Sequence, residues 1–477
     1  MSTDLTRNTL YLTLASVGQK LVAFVYFLFV ARVMQPEQTG TYFLALSLAM
    51  IFSVIADVGI TPVVIREMAK APDQTQTIFR RALALKIPFL FLGYACTIGS
   101  AALLGYPQEV IVLTSVAGCS LVLDSMHLLF YGVLRGHQKL GMESLGMFFG
   151  QLTVALIGGF ILWFHPSLFL LLFALVAGSF FNVVLSGSVL MRRFGTGMFR
   201  PVWDASYAKS LMGMAAPFAL AAIFVKIYSY VDTVFLSKVL DTTAVGLYSI
   251  AYKFTYAFQF LPLAFTAALY PKFSWCLKQQ SDELPHLFRR ALWYMLLLAT
   301  PLVLGLWLIA DHAVLLVGES YRDAAPVLSV LIFVLIPIFL DFPIGSLLNA
   351  AGRQAVKTSL MGLTMVINVV LNAIFIPRYG ALGASYAALI SFLFLFFAGF
   401  FFVPKIIPSF PFRLFFWDVL KISVSGVVMV LTGIFLLPVV GWIVIIPLCG
   451  IVYLLALFIT RSLTRGDLAK MKQLIRV

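Results

Sequence analysis

Two ionisable side chains, Lys226 and Asp232, lie inside an apolar run of helical length within the stretch from Phe224 to Tyr248. A charged group at the centre of a bilayer costs roughly 2.5–3.5 kcal/mol on insertion scales, so such residues usually face a protein interior or a water-filled cavity. In that setting an ammonium group is suited to binding an anion, and a carboxylate is suited to carrying a coupling ion. These two residues are therefore the first candidates for function.

The lysine is repeated near the N-terminus, because the stretch from Lys20 to Tyr42 follows the same pattern at a constant spacing. The matched pairs are Lys20 with Lys226, Phe29 with Phe235, Arg32 with Lys238, Val33 with Val239, Gly40 with Gly246 and Tyr42 with Tyr248. Lys253 lies about three turns into the next apolar run. Two interpretations stay open: the lysines reach the membrane surface or form structural ion pairs, or they line a cationic cavity, which the repetition favours.

Further polar groups lie within apolar runs. Asp124 and His127 are three residues apart and so share a helix face; they are either interhelical hydrogen-bonding groups or a proton site. Asparagine and glutamine side chains in such runs often form hydrogen bonds between helices, although they can also line a cavity. The candidate ion-coupling residues are Asp57, Asp124, His127, Asp232 and Asp341, and the candidate substrate-binding residues are Lys20, Lys226, Lys253, Gln19 and Gln151.

The composition determines which elements position these residues. Of 477 residues, 62% are hydrophobic and only 11% are charged, too few to cover the surface of water-soluble domains. The chain is predicted to be an all-α integral membrane protein. Taking about 20 apolar residues per crossing, we expect fourteen spans, at 9–33, 40–65, 80–104, 108–134, 142–164, 167–191, 210–239, 243–270, 287–310, 322–350, 355–376, 381–404, 417–437 and 441–460.

Basic residues predict the orientation, because Lys and Arg are retained on the cytoplasmic side during insertion. Alternate connections carry most of them: Arg66, Lys70, Arg80, Arg81 and Lys86; Arg135 and Lys139; Arg192, Arg193, Arg200 and Lys209; Lys272, Lys278, Arg289 and Arg290; Arg353 and Lys357; Lys405, Arg413 and Lys421. Both termini are therefore expected in the cytoplasm, with the protein in the inner or plasma membrane. The net charge of +14 then reflects topology and contact with anionic membrane lipids, not a nucleic-acid partner.

Further repetition divides the chain. Phe79-Arg80-Arg81-Ala82-Leu83 recurs as Phe288-Arg289-Arg290-Ala291-Leu292. Since each copy holds six spans, both copies start in the cytoplasm and form parallel repeats, whose interface is where such transporters usually bind substrate. The predicted parts are a first six-helix lobe at 1–191, a cytoplasmic linker at 192–209, a second six-helix lobe at 210–405, extra helices 13 and 14 within 406–460, and a basic cytoplasmic tail at 461–477.

Several classes of protein are not supported by the sequence. The four cysteines fall in apolar runs without disulfide-framework or zinc-ligand spacing. The chain has no GxxxxGK[ST] stretch to cradle a nucleotide. It also lacks an HExxH motif and any outer loop long enough to hold an active site. We therefore predict a transporter without cofactor, metal or catalytic residues.

Three loose motifs extend this interpretation: Ala31-Arg32 through Gly40-Thr41-Tyr42, Ala56-Asp57-Val58-Gly59 before Arg66-Glu67, and Val231-Asp232 through Gly246-Leu247-Tyr248 to Leu269-Tyr270-Pro271. With these motifs and the arrangement of six, six and two spans, the chain resembles the polysaccharide flippase (Wzx-type) family of the multidrug/oligosaccharidyl-lipid/polysaccharide exporter superfamily. The resemblance covers nearly the whole chain.

The resemblance implies a two-lobed, V-shaped bundle that moves an isoprenoid-diphosphate-linked oligosaccharide between leaflets by alternating access, driven by an ion gradient or the membrane potential. It supports Lys20, Lys226 and Lys253 as cavity cations. The implied partners are the lipid-linked substrate and membrane lipids, with a polysaccharide polymerase and glycosyltransferases as further candidates. The alternatives are a cation- or proton-coupled multidrug or metabolite exporter, which an acidic cavity would favour, and a membrane-embedded glycan transferase, which would need a larger outer loop.

Overall fold

The structure, a computed structural model, describes residues 2–463. Side chains are described from residue 15 onward, apart from 264 and 266–268. Most of the predicted basic tail, 461–477, lies outside the described residues. Within 2–463 the regular elements are α-helices and short 3-10 turns. The helices are α1 Ser2–Val33, α2 Pro36–Asp57, α3 Ile60–Lys70, α4 Thr75–Leu103, α5 Gln108–Gly136, α6 Gly141–Phe164, α7 Leu168–Phe194, α8 Ala205–Val239, α9 Thr242–Tyr256, α10 Phe260–Lys278, α11 Leu284–Leu308, α12 Ala310–Leu315, α13 Ala324–Leu331, α14 Leu335–Ala350, α15 Gln354–Tyr379, α16 Ala381–Phe400, α17 Phe412–Val440 and α18 Trp442–Ile459.

Thirteen helical segments in the described chain are long and apolar enough to cross a membrane. The protein is therefore a multi-pass membrane protein, as predicted. The predicted eighth span, 243–270, differs because it is divided into α9, a 3-10 turn at Ala257–Gln259, and α10. Pro262 explains the interruption: it has no amide hydrogen for the carbonyl group of Phe258, and its ring crowds that carbonyl. Pro337 stands in the same relation to the 3-10 turn at Ile332–Val334, between α13 and α14.

The chain divides into two compact units, Met1–Ser249 and Ile250–Val477. In the first unit, α2 packs against α4, α5 and α8, while α7 packs against α5 and α6, and α1 packs against α6. In the second unit, α14 contacts α10, α11 and α16, α15 pairs with α16, and α17 packs against α11 and α18. The seventh predicted span, α8, thus belongs to the first unit, where it packs against α2, α3 and α4.

Two repeated glycines bring helix backbones together within the first unit. A Cβ atom on Gly40 of α2 would collide with the carbonyl oxygen of Thr242, and one on Gly246 of α9 would collide with the carbonyl oxygen of Pro36. The contact is therefore reciprocal between sequence-equivalent residues. Only glycine permits this approach, because the colliding atoms belong to backbone that cannot rotate away.

Candidate functional site

A cavity of about 520 Å³ lies inside the first unit, between α1, α2, α5, α6 and α8. Its polar lining consists of Gln19, Ser53, Asp57, Ser120, Asp124, Ser125, His127, Tyr131, Arg135, Glu143 and Lys226. Leucine, alanine, methionine and valine side chains complete the wall. Of the predicted site residues, the structure therefore brings together Gln19, Asp57, Asp124, His127 and Lys226.

Lys226 is the lysine of this cavity; it forms no described ion pair, and the carboxylate of Asp124 acts on it from a longer distance. Its Nζ atom lies 3.6 Å from the sulfur of Met50 and 5.6 Å from the ring centroid of Tyr230. Thioether sulfur is a weak acceptor, and a ring face attracts a cation only modestly. No described carboxylate lies within salt-bridge distance of its ammonium group. That group is thus available to a ligand in the cavity.

Asp57 is held by a buried lysine behind the cavity wall. Lys86 of α4 has a side chain with 0% exposure and forms an ion pair with Asp57, to which Thr61 also donates a hydrogen bond. The Nζ of Lys86 lies 3.4 Å from the hydroxyl of Thr61. Lys86 was expected in a cytoplasmic connection, and this expectation is wrong because the residue lies buried inside α4. Burial of its charge is tolerated because the ion pair and the hydroxyl offset part of the lost hydration.

Arg135 and Glu143 form a second ion pair in the wall. The Nε of Arg135 lies 3.0 Å and 2.8 Å from the two carboxylate oxygens of Glu143, whose side chain is 1% exposed. The pair joins the end of α5 to the start of α6. Sequence reasoning missed Glu143 and Lys86 as site residues, although both are charged residues placed inside helices rather than in turns.

Asp124 and His127 form a hydrogen-bonded dyad of a carboxylate and an imidazole in the cavity wall. The Nε2 of His127 lies 3.1 Å from one oxygen of Asp124, and the hydroxyl of Ser120 lies 3.4 Å from the other. The His127 Nδ1 is buried and has no hydrogen-bond partner in the described part of the chain. The Asp124 side chain is 40% exposed. The dyad is therefore open to a proton or small cation from the cavity.

The cavity carries charges of both signs. Asp57 and Glu143 are each matched by a basic partner, Lys86 and Arg135. The remaining ionisable groups in the lining are Lys226 and the dyad of Asp124 and His127. This leaves one site suited to an anion and one suited to a proton or cation in the same cavity.

The other predicted residues lie elsewhere. Lys20 is exposed next to Gln19 on α1, and Gln151 is half-buried in α6. Asp232 is buried in α8, where its carboxylate accepts hydrogen bonds from the Tyr248 hydroxyl and from the Thr233 amide at 2.8 Å. Lys253 and Asp341 belong to the second unit, each half-buried. Within residues 2–463, no group of three or more His, Cys, Asp or Glu side chains is arranged to hold a metal ion.

Two curated relatives from Haloferax volcanii are similar over most of their length. The first, named "Probable low-salt glycan biosynthesis flippase Agl15", is 22% identical over 397 residues, which is 82% of this chain and 81% of the relative. The second, named "Probable flippase AglR", is 24% identical over 392 residues, 79% of each chain. Both names describe transporters rather than enzymes.

A solved structure supports the fold. The structure of lipid II flippase MurJ in an inward closed conformation matches with a TM-score of 0.74 and 15% sequence identity, covering 94% of this chain and 99% of that one. At this identity the likeness shows the fold alone, and it confirms the predicted all-α membrane fold.

Two family models match overlapping ranges of the chain. One described as MatE matches residues 217–374. Another, described as Polysaccharide biosynthesis protein, matches residues 5–276, which is more than half of the sequence. The motifs, the helical fold and this match lead to one conclusion: the chain belongs to the polysaccharide biosynthesis protein family.

Proposed function

We propose that this protein is a flippase that moves an isoprenoid-diphosphate-linked oligosaccharide from the inner to the outer leaflet of the plasma membrane by alternating access. Family membership and the two relatives named as flippases support the proposal. The observation that carries it is the cavity of about 520 Å³ in which Lys226 has no described counter-ion. An ammonium group in such a cavity attracts a phosphate more strongly than it would in bulk water.

Each part of the cavity has a proposed role. Lys226 binds the diphosphate, while Gln19, Ser53 and Tyr131 offer hydrogen-bonding groups to sugar hydroxyls. Lys20, which the repeated sequence pattern pairs with Lys226, and Lys253, which the family resemblance supports, are further candidate cations. Glycosyltransferases would supply the lipid-linked substrate, and a polysaccharide polymerase would consume it after transfer.

The dyad of Asp124 and His127 is the proposed ion-coupling group. Moving one elementary charge through the membrane field is worth about 2.3 kcal/mol per 100 mV, so loading and unloading the dyad would tie transport to an ion gradient or to the potential. Asp57, Asp232 and Asp341 are weaker candidates, the first two because their carboxylates already have protein partners.

The test is a flipping assay in proteoliposomes that contain a fluorescent lipid-linked oligosaccharide and receive an imposed ion gradient. We expect protein-dependent transfer between leaflets, measured by loss of protection from a membrane-impermeant quencher, and we expect ionophores to stop it. Transfer that required ATP and ignored every imposed gradient would contradict the coupling. Absence of protein-dependent transfer under all gradients would contradict the function.

A cation- or proton-coupled exporter of drugs or metabolites is the second candidate. The carboxylate of Asp124, which has no lysine or arginine partner in the described chain, favours it, as does the match to the MatE model. The same proteoliposomes distinguish the two functions when a cationic dye replaces the lipid. Gradient-driven dye transport that is lost in Asp124→Asn but kept in Lys226→Ala would favour the exporter.

A further inference from the structure

A second, smaller cavity of about 100 Å³ lies in the second unit, beside the end of α11 that is predicted to face the cytoplasm. Its walls are formed by Arg289, Arg290, Trp293, Tyr294, Asp418 and Ser462. They come from α11, α17 and the residues just after α18. The volume suits a small oxyanion and excludes a sugar.

The charges in this cavity are unequal. An Nη atom of Arg289 pairs with Asp418, but the Nε of the same guanidinium is buried and has no hydrogen-bond partner in the described chain. Arg290 is exposed at the cavity, and no described residue pairs with it. Two guanidinium groups therefore face one carboxylate. A buried donor without a partner carries a desolvation cost that a bound acceptor would remove.

The first copy of the repeat provides an internal comparison. There the equivalent arginines are used by the protein itself: the Nε of Arg80 donates to the carbonyl of Arg200 at 2.9 Å, and Arg81 lies 3.1 Å from Asp204. Arg81 also lies 5.4 Å from the ring centroid of Tyr207. The second copy keeps the arginine pair, but the Nε of Arg289 has no acceptor in the described chain. In the first copy a backbone carbonyl provides the equivalent acceptor.

We propose that this cavity binds a phosphate group carried by an anionic membrane lipid. Guanidinium groups present several N–H donors in a planar fork that matches phosphate oxygens. Basic pockets between the cytoplasmic ends of membrane helices are suited to phospholipid headgroups. Trp293, whose indole nitrogen lies 3.3 Å from the Ser462 hydroxyl, supplies an aromatic wall of the kind that is enriched at the membrane interface. The site is independent of the transported substrate.

The test uses the full-length protein in phosphatidylcholine nanodiscs, with and without phosphatidylglycerol. Native mass spectrometry counts retained lipid, and thermal unfolding gives Tm. We expect phosphatidylglycerol to raise the wild-type Tm and at least one molecule to be retained. Arg290→Gln removes an unpaired charge without breaking a described contact, and Ser462→Gln fills the cavity while keeping an acceptor for Trp293. Both should lose at least half of the Tm rise and the retained lipid.

Lys278→Gln is the matched control, because it removes one exposed basic charge from the same unit without touching the cavity. It should behave as wild type. Inorganic phosphate is titrated into lipid-free detergent samples in parallel. If it reproduces the full Tm rise and lipid adds nothing, the site takes free phosphate and the lipid assignment is overturned. Wild-type lipid retention in both cavity variants, or equal loss in Lys278→Gln, would overturn the site.

Discussion

At the scale of single residues, two lysines show how surroundings decide the role of one residue type. Lys86 is fully buried and paired with Asp57. Lys226 lines the cavity, where its described contacts are with Met50 and Tyr230 and it forms no described ion pair. A charged side chain buried in a membrane protein is tolerated when a counter-ion offsets its lost hydration. Without a counter-ion the charge is costly, unless water or a bound ligand solvates it.

Removing the cavity lysine should impair transport without unfolding the protein. We expect Lys226→Ala to lower flipping at least 10-fold at unchanged membrane level, since the fold loses no described ion pair when the ammonium group is removed. Lys226→Arg should recover part of the activity, because it keeps the charge with a different geometry. Complementation of a flippase-deficient strain, with immunoblotting of membranes, measures both effects.

The repeat extends this prediction to Lys20, for which Lys20→Ala is also expected to lower flipping. If Lys20→Ala complemented fully while Lys226→Ala failed, the role proposed for Lys20 would be wrong and Lys226 alone would stand as the anion-binding lysine. Full complementation by both variants would contradict the site.

Breaking the buried ion pair should affect stability first. Asp57→Asn leaves the charge of Lys86 buried without a counter-ion, which typically costs about 3–5 kcal/mol. We expect a marked fall in Tm and in folded yield, measured by fluorescence-detected size-exclusion chromatography after heating. The double variant Asp57→Asn with Lys86→Met should recover most of the loss, because no isolated charge remains.

Asp124→Asn is the control for this pair, since its carboxylate is more exposed and has no buried basic partner. Its Tm should stay near wild type. If Asp57→Asn were as stable as Asp124→Asn, the pairing of Asp57 with Lys86 would not contribute to the fold as proposed.

At the scale of helices, the reciprocal contact of Gly40 and Gly246 holds α2 against the start of α9. Gly40→Ala and Gly246→Ala each place a methyl group against backbone that cannot give way, and overpacking of this kind costs about 1–3 kcal/mol. We expect a lower Tm for both variants. Gly213→Ala, in α8 with open space around the added Cβ, should be neutral or slightly stabilising. Equal Tm values in all three would contradict the close contact.

At the scale of the whole molecule, the distribution of basic residues predicts cytoplasmic termini and a cytoplasmic linker at 192–209. In a variant without the four native cysteines, a cysteine at Thr196 should resist a membrane-impermeant maleimide in intact cells and react after permeabilisation. A cysteine at Gln108, where the predicted fourth span begins on the outer side, or at His165, in a predicted outer turn, should react in intact cells. Labelling of a cysteine at Thr196 in intact cells would show that the predicted topology is inverted, and it would remove the basis for parallel repeats.

The sequence by itself determined the fold class, most of the helix positions and the internal repeat. Each depends on local information: a run of about 20 apolar residues must form a helix in a membrane to satisfy its own backbone. Even the interruption of the predicted span 243–270 has a local cause in Pro262, although a hydropathy pattern does not register it. The candidate residues Asp57, Asp124, His127 and Lys226 were also visible as charges within apolar runs.

Only the tertiary structure decided which of these charges meet. Lys86 pairs with Asp57 across two helices, and Glu143 pairs with Arg135 across a turn. Lys226 has described contacts with Met50 and Tyr230 but no ion pair in the described chain. No sequence window contains this information, because it depends on which helices are neighbours and on how each is rotated about its axis. Those rotations follow from side-chain packing, including close contacts such as that of Gly40, so the chemistry of each charge is set by residues far away in the chain.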